Sequence, residues 1–547
     1  MSVIELLATL KEKDVQLSVN GDQLVVRGRK QSLKEPQVLA LLREHKAALI
    51  ELINSGEYDA GKPGEVEVPA NAIPVGCERI TPEMLPLVTL DQPAIDRIVA
   101  SVPGGAANVQ DIYPLAPLQE GILYHHLTAL QGDPYVLQAH FSIASHERLG
   151  DFVDALQHVI DRHDILRTAI VRENLEAPLQ VVWRQARLGV KDISAELAEG
   201  DVLTQLQARF DPRHYRLDLS QAPLLSLVCA EDPVNQRWVA MLLFHHMALD
   251  HAALAVVQGE MQAWLMGQAG QLQPAIPYRN YVARTRQADQ RQADEAFFSK
   301  MLGDVDEPTL PFGQQDVLGD GSAIEEHHQP LTPELSRRVR VQARQLGVSA
   351  ASIFHLAWAQ VLGSVSGREE VVFGTVMLGR MQAGESLSRA LGMFINTLPL
   401  RVGVGAQSVR DGVKSTHGWL SALLSHEYAS LALAQRCSGV AAPAPLFSAL
   451  LNYRHSAGAD QVPGQEVLQA WEGIEALSAQ ERTNYPLILS VDDFSDDFAL
   501  EVQASVQIGA QRICNYMQAA LEYLIAALES APESLLNDLS VLPQEER

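Results

Sequence analysis

The 547-residue chain has few cysteines, a deficit of positive charge and no long uninterrupted apolar run. Its four cysteines show no Cys-x-x-Cys spacing, which excludes a zinc ribbon or disulfide framework and is typical of reduced thiols. The 42 lysines and arginines face 67 aspartates and glutamates, and this net charge of −25 argues against binding a nucleic-acid backbone. The most apolar segment, Ala350–Val365, is too short to span a membrane and predicts a buried helix. Because no signal peptide follows Met1, we expect a cytoplasmic protein that binds neither nucleic acid nor membrane.

One stretch combines a strand, two histidines and a helix. Trp238–Phe244 is a short continuous apolar run that predicts a buried strand, and the periodicity from Ala252 onward predicts a helix. Between them lie His245, His246 and Asp250. Consecutive residues leaving a strand point to opposite sides, so the two histidines should have different roles. Asp250 stands where it can cap the helix.

The same residue types allow two other interpretations. A histidine at a strand end can be a satisfied core residue, and Asp250 can be only a cap. His246, Asp250 and His251 are also metal-ligand types, but no separate His, Cys or Glu cluster stands out to complete a site. We therefore expect no metal.

Further motifs follow one another in order along the chain. They are Asp111–Tyr124 with Pro-Leu-Gln at 117–119, Arg162–Thr168 (RHDILRT), Tyr278–Tyr281, and Leu391–Arg401 with GMFINT. Together with His245-His246-x-x-x-Asp250 they resemble the motifs of the condensation domains of nonribosomal peptide synthetases, whose central signature is HHxxxDG. Those domains belong to the chloramphenicol-acetyltransferase-like superfamily.

A smaller unit precedes them. Two alternating runs flank Asn20-Gly21 and predict a β-hairpin, with helical patterns before and after it. This α-β-β-α-α order resembles the N-terminal docking domains of the tubulysin-synthetase type.

The resemblances imply an α/β (α+β) fold with two chloramphenicol-acetyltransferase-like lobes in a V-shaped pseudo-dimer. We expect a docking domain at 1–57, a linker with a short helix at 58–110, an N-lobe at 111–280, a C-lobe at 281–534, and at 535–547 the start of a linker to a following adenylation domain.

The resemblance also implies roles for single residues. His246 would face the cavity and orient or deprotonate an attacking amine, while His245 would support the motif from the other side. Asp250 would form a buried ion pair with an arginine, and Arg380 is the candidate by position. His251 stands where the signature has glycine, which adds bulk beside the substrate channel and leaves its shape open.

The implied reaction is amide formation between an amine on a carrier-tethered amino acid and a donor thioester. No bound cofactor is expected, and no cofactor-binding residues are identified. The donor would be an acyl-coenzyme A, and the partner carrier protein would present 4′-phosphopantetheine. The absence of an earlier adenylation or carrier domain favours a starter type, which initiates a lipopeptide, whereas a docking domain favours an elongation type fed by an upstream subunit. We favour the starter type.

The expected partners are acyl-coenzyme A, a downstream aminoacyl carrier protein, the adenylation domain of the same synthetase, and an upstream subunit tail on the docking hairpin. A hypothesis of another class is a non-catalytic module that binds carriers and gates their access. A third is a free-standing acyltransferase of the superfamily.

Overall fold

The computed structural model describes residues 68–129, 131–286, 288–314, 324–379, 390–455, 465–480, 485–543 and 546, and strand residues 15–20 and 23–28. Contacts divide the chain into two units, 1–69 and 70–547. In the smaller unit β1 (Val15–Asn20) pairs antiparallel with β2 (Gln23–Gly28), which confirms the predicted hairpin. The helices predicted within 1–57 lie outside the described residues.

The larger unit alternates helices and strands, as expected for the α/β class. Its helices are α1 (Gln92–Ser101), α2 (Pro117–Thr128), α3 (His146–Arg162), α4 (Val202–Arg209), α5 (His251–Leu265), α6 (Arg279–Thr285), α7 (Ala288–Leu302), α8 (Pro333–Leu346), α9 (Ala350–Ser366), α10 (Val409–Leu424), α11 (Leu431–Arg436), α12 (Gln465–Ala470) and α13 (Ala510–Ser530). Its strands are β3 (Val109–Pro114), β4 (Val136–Ile143), β5 (Thr168–Val171), β6 (Leu179–Trp183), β7 (Gly189–Asp192), β8 (Leu225–Asp232), β9 (Arg237–His245), β10 (Ile324–Pro330), β11 (Glu370–Met377), β12 (Asn396–Gly403), β13 (Ala449–His455), β14 (Ile474–Gln480), β15 (Leu487–Asp493) and β16 (Phe498–Ser505).

Two large sheets define two lobes of this unit. The amino-terminal lobe is built on the sheet β14-β4-β9-β8-β7 with the smaller sheet β3-β6-β5 beside it, and the carboxy-terminal lobe on β10-β16-β15-β13-β11-β12. Strand β14 comes from late in the chain, yet it pairs with β4 in the amino-terminal lobe. The two lobes are therefore joined through a shared sheet.

The two sheets repeat one pattern. In the amino-terminal lobe β4 and β8 flank β9 antiparallel, and β7 runs parallel to β8. In the carboxy-terminal lobe β10 and β15 flank β16 antiparallel, and β13 runs parallel to β15. Each central strand leads through a turn into a long helix, β9 into α5 and β16 into α13. The topology agrees with two lobes of one fold.

Each lobe has its own apolar core. Helices α9 and α13 pack in the core of the carboxy-terminal lobe, and α9 is buried over most of its length, as predicted. The core of the amino-terminal lobe also takes in Ala390–Phe394 from the later chain. A third cluster packs Ile73, Ile95 and neighbouring residues of the 58–110 region against β3 and β6.

Among the described residues, no single helix is long and apolar enough to cross a membrane. Helices α8 and α9 are long and apolar enough only when they are taken together, and the pair is bent by 108°.

Candidate active site

The turn between β9 and α5 carries the two histidines. His245 ends the strand and is fully buried, whereas His246 is half-buried. The backbone N–H of His246 donates to the carbonyl of Tyr135 at 2.9 Å, so the turn is fastened to the residue preceding β4. This difference in exposure fits the expectation that the two histidines have different roles.

The His246 ring is held in one orientation by its own turn. Its Nδ1 lies 2.8 Å from the carbonyl oxygen of Leu249. A carbonyl only accepts, so Nδ1 must carry the proton and Nε2 of the neutral ring keeps its lone pair. Among the described residues Nε2 has no protein partner, and the ring lines a cavity. His246 can therefore accept a proton from a molecule in that cavity.

The cavity has a volume of about 510 Å³ and lies between the two lobes. Helix α2, Tyr135 and His246 form one wall, and strands β11, β12, β13, β15 and β16 with helix α11 form the other. Its apolar lining includes Leu118, Ile122, Val376, Ile395, Leu431, Leu450 and Ile488. Polar side chains cluster on β13, β15 and β16, namely Asn452, Arg454, Ser490, Glu501 and Gln503.

A second cavity, of about 630 Å³, adjoins the first. Both are lined by Pro117, Glu120, Ser430 and Ala432, so they meet between α2 and α11. The second cavity also carries the arginines Arg286, Arg291 and Arg436. These three arginines, the arginine rim, share the lining with Glu120, Asp294 and Glu295, and Arg286 pairs with Glu120 at 3.0 Å.

His245 points away from the first cavity, into the amino-terminal lobe. Its Nε2 lies 2.9 Å from Oδ2 of Asp133, and its Nδ1 accepts the Met247 N–H at 3.2 Å. Burial lowers the pKa of His245, and the hydrogen bond to Asp133 only partly opposes this. His245 is thus placed as a support for the turn.

Asp250 has two described roles. One carboxylate oxygen accepts the Ala253 N–H at 2.8 Å, which confirms the predicted cap of α5. The other accepts the Phe394 N–H at 3.1 Å, so the carboxylate connects the histidine motif to the GMFINT segment. Arg380, the predicted ion-pair partner, lies outside the described residues, and that pair stays a prediction. His251 begins α5, but its side chain is not described, so its effect on the channel also stays a prediction.

The other sequence motifs support this turn from behind. Gln119 donates from Nε2 to the carbonyl of Met247 at 2.8 Å, which links the first motif to the central one. The Tyr278 backbone N–H donates to the Asp164 carboxylate, and the Tyr278 hydroxyl donates to the Met393 carbonyl at 2.6 Å.

His163 of the RHDILRT motif is buried and bonds to Glu260 at 3.0 Å, where Arg162 also binds. Burial would raise the pKa of Glu260, but hydrogen bonds from His163 and Arg162 lower it to about 2. This buried network connects the end of α3 to α5, so its role is structural.

Sequence reasoning missed three residues of the site. His126, Asp133 and Tyr135 contact the histidine turn from positions more than 100 residues earlier. The consecutive histidines at 125 and 126 were the only local sign, and nothing in the sequence connected them with position 245.

Comparison with known proteins decides the family. The condensation-domain model matches residues 109–547, more than half of the chain. The chain belongs to the condensation-domain family. The TubC N-terminal docking-domain model matches residues 3–54. As a condensation domain, the chain is an acyltransferase that forms amide bonds in nonribosomal peptide synthesis.

Relatives and solved structures agree with this assignment. The condensation domain is 48% identical to malpinin synthetase of Mortierella alpina over 88% of the chain and 6% of that protein. It is 47% identical to malpibaldin synthetase of Mortierella alpina over 88% of the chain and 9% of that protein. The chain thus spans a small part of the curated relatives that it matches.

The fold is similar to that of the first condensation domain of the calcium-dependent antibiotic synthetase, solved with a substrate analogue. The TM-score is 0.57 at 17% identity, covering 79% of this chain and 99% of that one. The condensation domain from the monacolin K polyketide synthase gives a TM-score of 0.55 at 18% identity, covering 78% and 100%.

Proposed function

We propose that His246 is the acid–base residue of the condensation reaction, which takes place in the cavity between the lobes. The observation behind this is the ring orientation: Nδ1 is bonded to Leu249, and Nε2 is the nitrogen left for a substrate. An amine nitrogen attacks the thioester carbonyl carbon, the carbon–sulfur bond breaks, and the amine proton passes by way of Nε2 to the departing thiolate.

The amine requires little activation. An α-amino group has a pKa of about 7.7–8.0, so part of it is neutral near pH 7. The larger gain comes from holding amine and thioester together, which is worth roughly 7–11 kcal/mol when the geometry is right. The adjoining cavities give two partners room to meet at one imidazole.

For the donor we propose an acyl-coenzyme A, so that the domain N-acylates a carrier-tethered amino acid and initiates a lipopeptide. The apolar lining of the first cavity by Leu118, Ile122, Leu450 and Ile488 supports an acyl chain there. Arg291 and Arg436, which are exposed in the lining of the second cavity, support a phosphate-bearing arm, such as 4′-phosphopantetheine, on its way to His246.

A second donor is favoured by a different observation. The docking-domain match at residues 3–54 supports a peptidyl or aminoacyl carrier from an upstream subunit, whose tail would add to the β1–β2 hairpin. The further partners in either case are a downstream carrier protein and the adenylation domain of the same synthetase.

One experiment separates these proposals. The whole chain is mixed with an aminoacyl carrier protein and offered either a series of acyl-coenzyme A donors or a peptidyl carrier, and the product is weighed by intact-protein mass spectrometry. N-acylation from acyl-coenzyme A supports the starter reaction. Product from the peptidyl carrier alone overturns it in favour of elongation. Unchanged turnover of His246→Ala in the complete synthetase would instead favour the non-catalytic gating module.

A further inference from the structure

A buried cluster of His126, Asp133 and His245 lies behind the histidine turn. Oδ2 of Asp133 is 2.5 Å from Nδ1 of His126 and 2.9 Å from Nε2 of His245. All three residues are buried, and the Asp133 side chain is fully enclosed. One carboxylate oxygen therefore serves two imidazoles.

The proton positions in this cluster follow from its neighbours. The Met247 N–H donates to Nδ1 of His245, so this nitrogen must be the acceptor and Nε2 must carry the proton. Nε2–H then donates to Asp133. Burial would raise the pKa of Asp133, but the hydrogen bonds from His126 and His245 hold it well below its usual range. The carboxylate is ionised and accepts both contacts.

The same carboxylate also reaches His246 by a second route. Its Oδ1 accepts the Tyr135 N–H at 2.9 Å, and the Tyr135 carbonyl accepts the His246 N–H at 2.9 Å. The Asp133 backbone N–H is itself fixed to the Pro212 carbonyl at 2.7 Å. Asp133 thus holds the ring of His245 directly. It holds the backbone of His246 indirectly, through Tyr135.

We infer that Asp133 is a positioning residue that sets the location of the His246 ring in the cavity, with His126 as the second clamp on its carboxylate. This role rests on the proposed function of His246. The three ligand atoms lie within 4.8 Å of one another, a spacing that could hold a metal ion. The shared oxygen and the two N–H donors already account for these contacts, because a cation between them would have to displace both protons.

The substitution Asp133→Asn tests this most directly, because it keeps shape and removes charge. If the amide oxygen faces the two imidazoles, the amide NH2 faces the Tyr135 N–H. If it is turned round, the NH2 faces His245, which cannot change tautomer because Met247 donates to its other nitrogen. Each orientation leaves one donor facing another, so the turn must shift.

We expect kcat to fall about 100-fold with the KM for both substrates within about twofold of wild type, since a shift of about 1 Å at a reacting group can cost that much. The assay uses the whole chain with its aminoacyl carrier and donor, and thermal unfolding checks that the variant is folded. Asp232→Asn is the matched control: Asp232 is a buried aspartate at the end of β8, and it accepts a hydrogen bond from Arg237 at the start of β9, far from the histidine turn. Its kcat should not change.

The outcomes separate this inference from the proposed function. If His246→Ala loses activity while folded Asp133→Asn keeps wild-type kcat, the positioning role is wrong and the catalytic role stands. If His246→Ala keeps full activity, both fail.

Two substitutions at His126 test the same inference if Asp133→Asn does not fold. His126→Asn can still donate an N–H to the carboxylate, whereas His126→Leu cannot. We expect kcat of His126→Asn to exceed that of His126→Leu several-fold at equal stability, and equal kcat values for the two variants would contradict the clamp.

Discussion

The two lobes contain the same strand–turn–helix unit, and the proposed catalytic histidine lies in the turn of one of them. In the amino-terminal lobe the turn after β9 contains His246 and ends on Asp250, which caps α5 with its side chain. In the carboxy-terminal lobe the turn after β16 contains Val506, 60% exposed, and ends on Gly509, which caps α13 without a side chain. Equal topology therefore leaves the chemistry to a few residues of one turn.

The largest effect is expected from removing the His246 imidazole from the turn after β9. His246→Ala should lower kcat by roughly 10²- to 10⁴-fold, the usual worth of a positioned acid–base group. Val506→Ala, at the corresponding place in the other lobe, should leave kcat unchanged. Amide product measured by mass spectrometry checks both. A loss smaller than about tenfold for His246→Ala would contradict the acid–base role.

A buried histidine of the carboxy-terminal lobe should make stability depend on pH. His355 lies between the Ala351 carbonyl at 2.7 Å and the Thr375 hydroxyl at 2.8 Å, and burial lowers its pKa to about 4. The unfolded chain takes up the proton below about pH 6.5, and the folded chain does so only near pH 4. The contribution of His355 to the free energy of unfolding should therefore be constant above about pH 6.5. It should fall by about 3 kcal/mol as the pH drops to 4.

Denaturant titrations across this pH range measure the effect. His355→Gln should flatten this part of the dependence, whereas His328→Gln, at an exposed histidine of β10, should not. An unaltered slope in His355→Gln would assign the dependence to other groups.

The two helix caps should differ in what their loss affects. Asp250→Ala removes the bond to Ala253 and leaves the Phe394 N–H without this acceptor, so we expect a loss of about 2 kcal/mol in stability together with lower kcat. Gly509→Ala places a side chain at φ +87° and should cost about 1–3 kcal/mol without changing kcat. Asp250→Ala that is inactive but fully stable would contradict a structural role for the aspartate.

The smallest effect is expected at the arginine rim of the second cavity. Arg436 of α11 and Arg291 of α7 are exposed there, and each replacement by alanine should raise the KM for the carrier-bound or coenzyme-bound substrate about fivefold at low salt. The exposed Arg337 of α8 is the control, since it lies outside that lining. Comparing the KM values of the two variants measures the effect of each arginine separately.

Local chemistry made the strand–turn–helix predictable. The apolar run Trp238–Phe244 lies within β9, and Asp250 caps the following helix as its position indicated. The hairpin at Asn20-Gly21 was predictable for a similar reason, because the turn dipeptide fixes it. By contrast, no strand is predicted at the opening of the 111–124 motif, yet Val109–Pro114 is a strand. Its aspartate and proline obscure the strand pattern, and its pairing with β6 is what stabilises it.

Long-range contacts were not predictable from one sequence. Asp133 is separated from His245 by 112 residues, and no periodicity or motif connects them. The Asp250–Phe394 bond spans 144 residues. Such contacts depend on the assembled lobes, so the site's motif was visible in the sequence but its supporting residues were not.

The late strand β14 gives the amino-terminal lobe an order of assembly. A chain made from its amino terminus presents β4 as an open sheet edge until residues 474–480 have left the ribosome. An exposed edge of this kind pairs readily with other chains, so fragments that end before β14 should aggregate. The amino-terminal lobe thus reaches its finished form only after most of its neighbour has been synthesised.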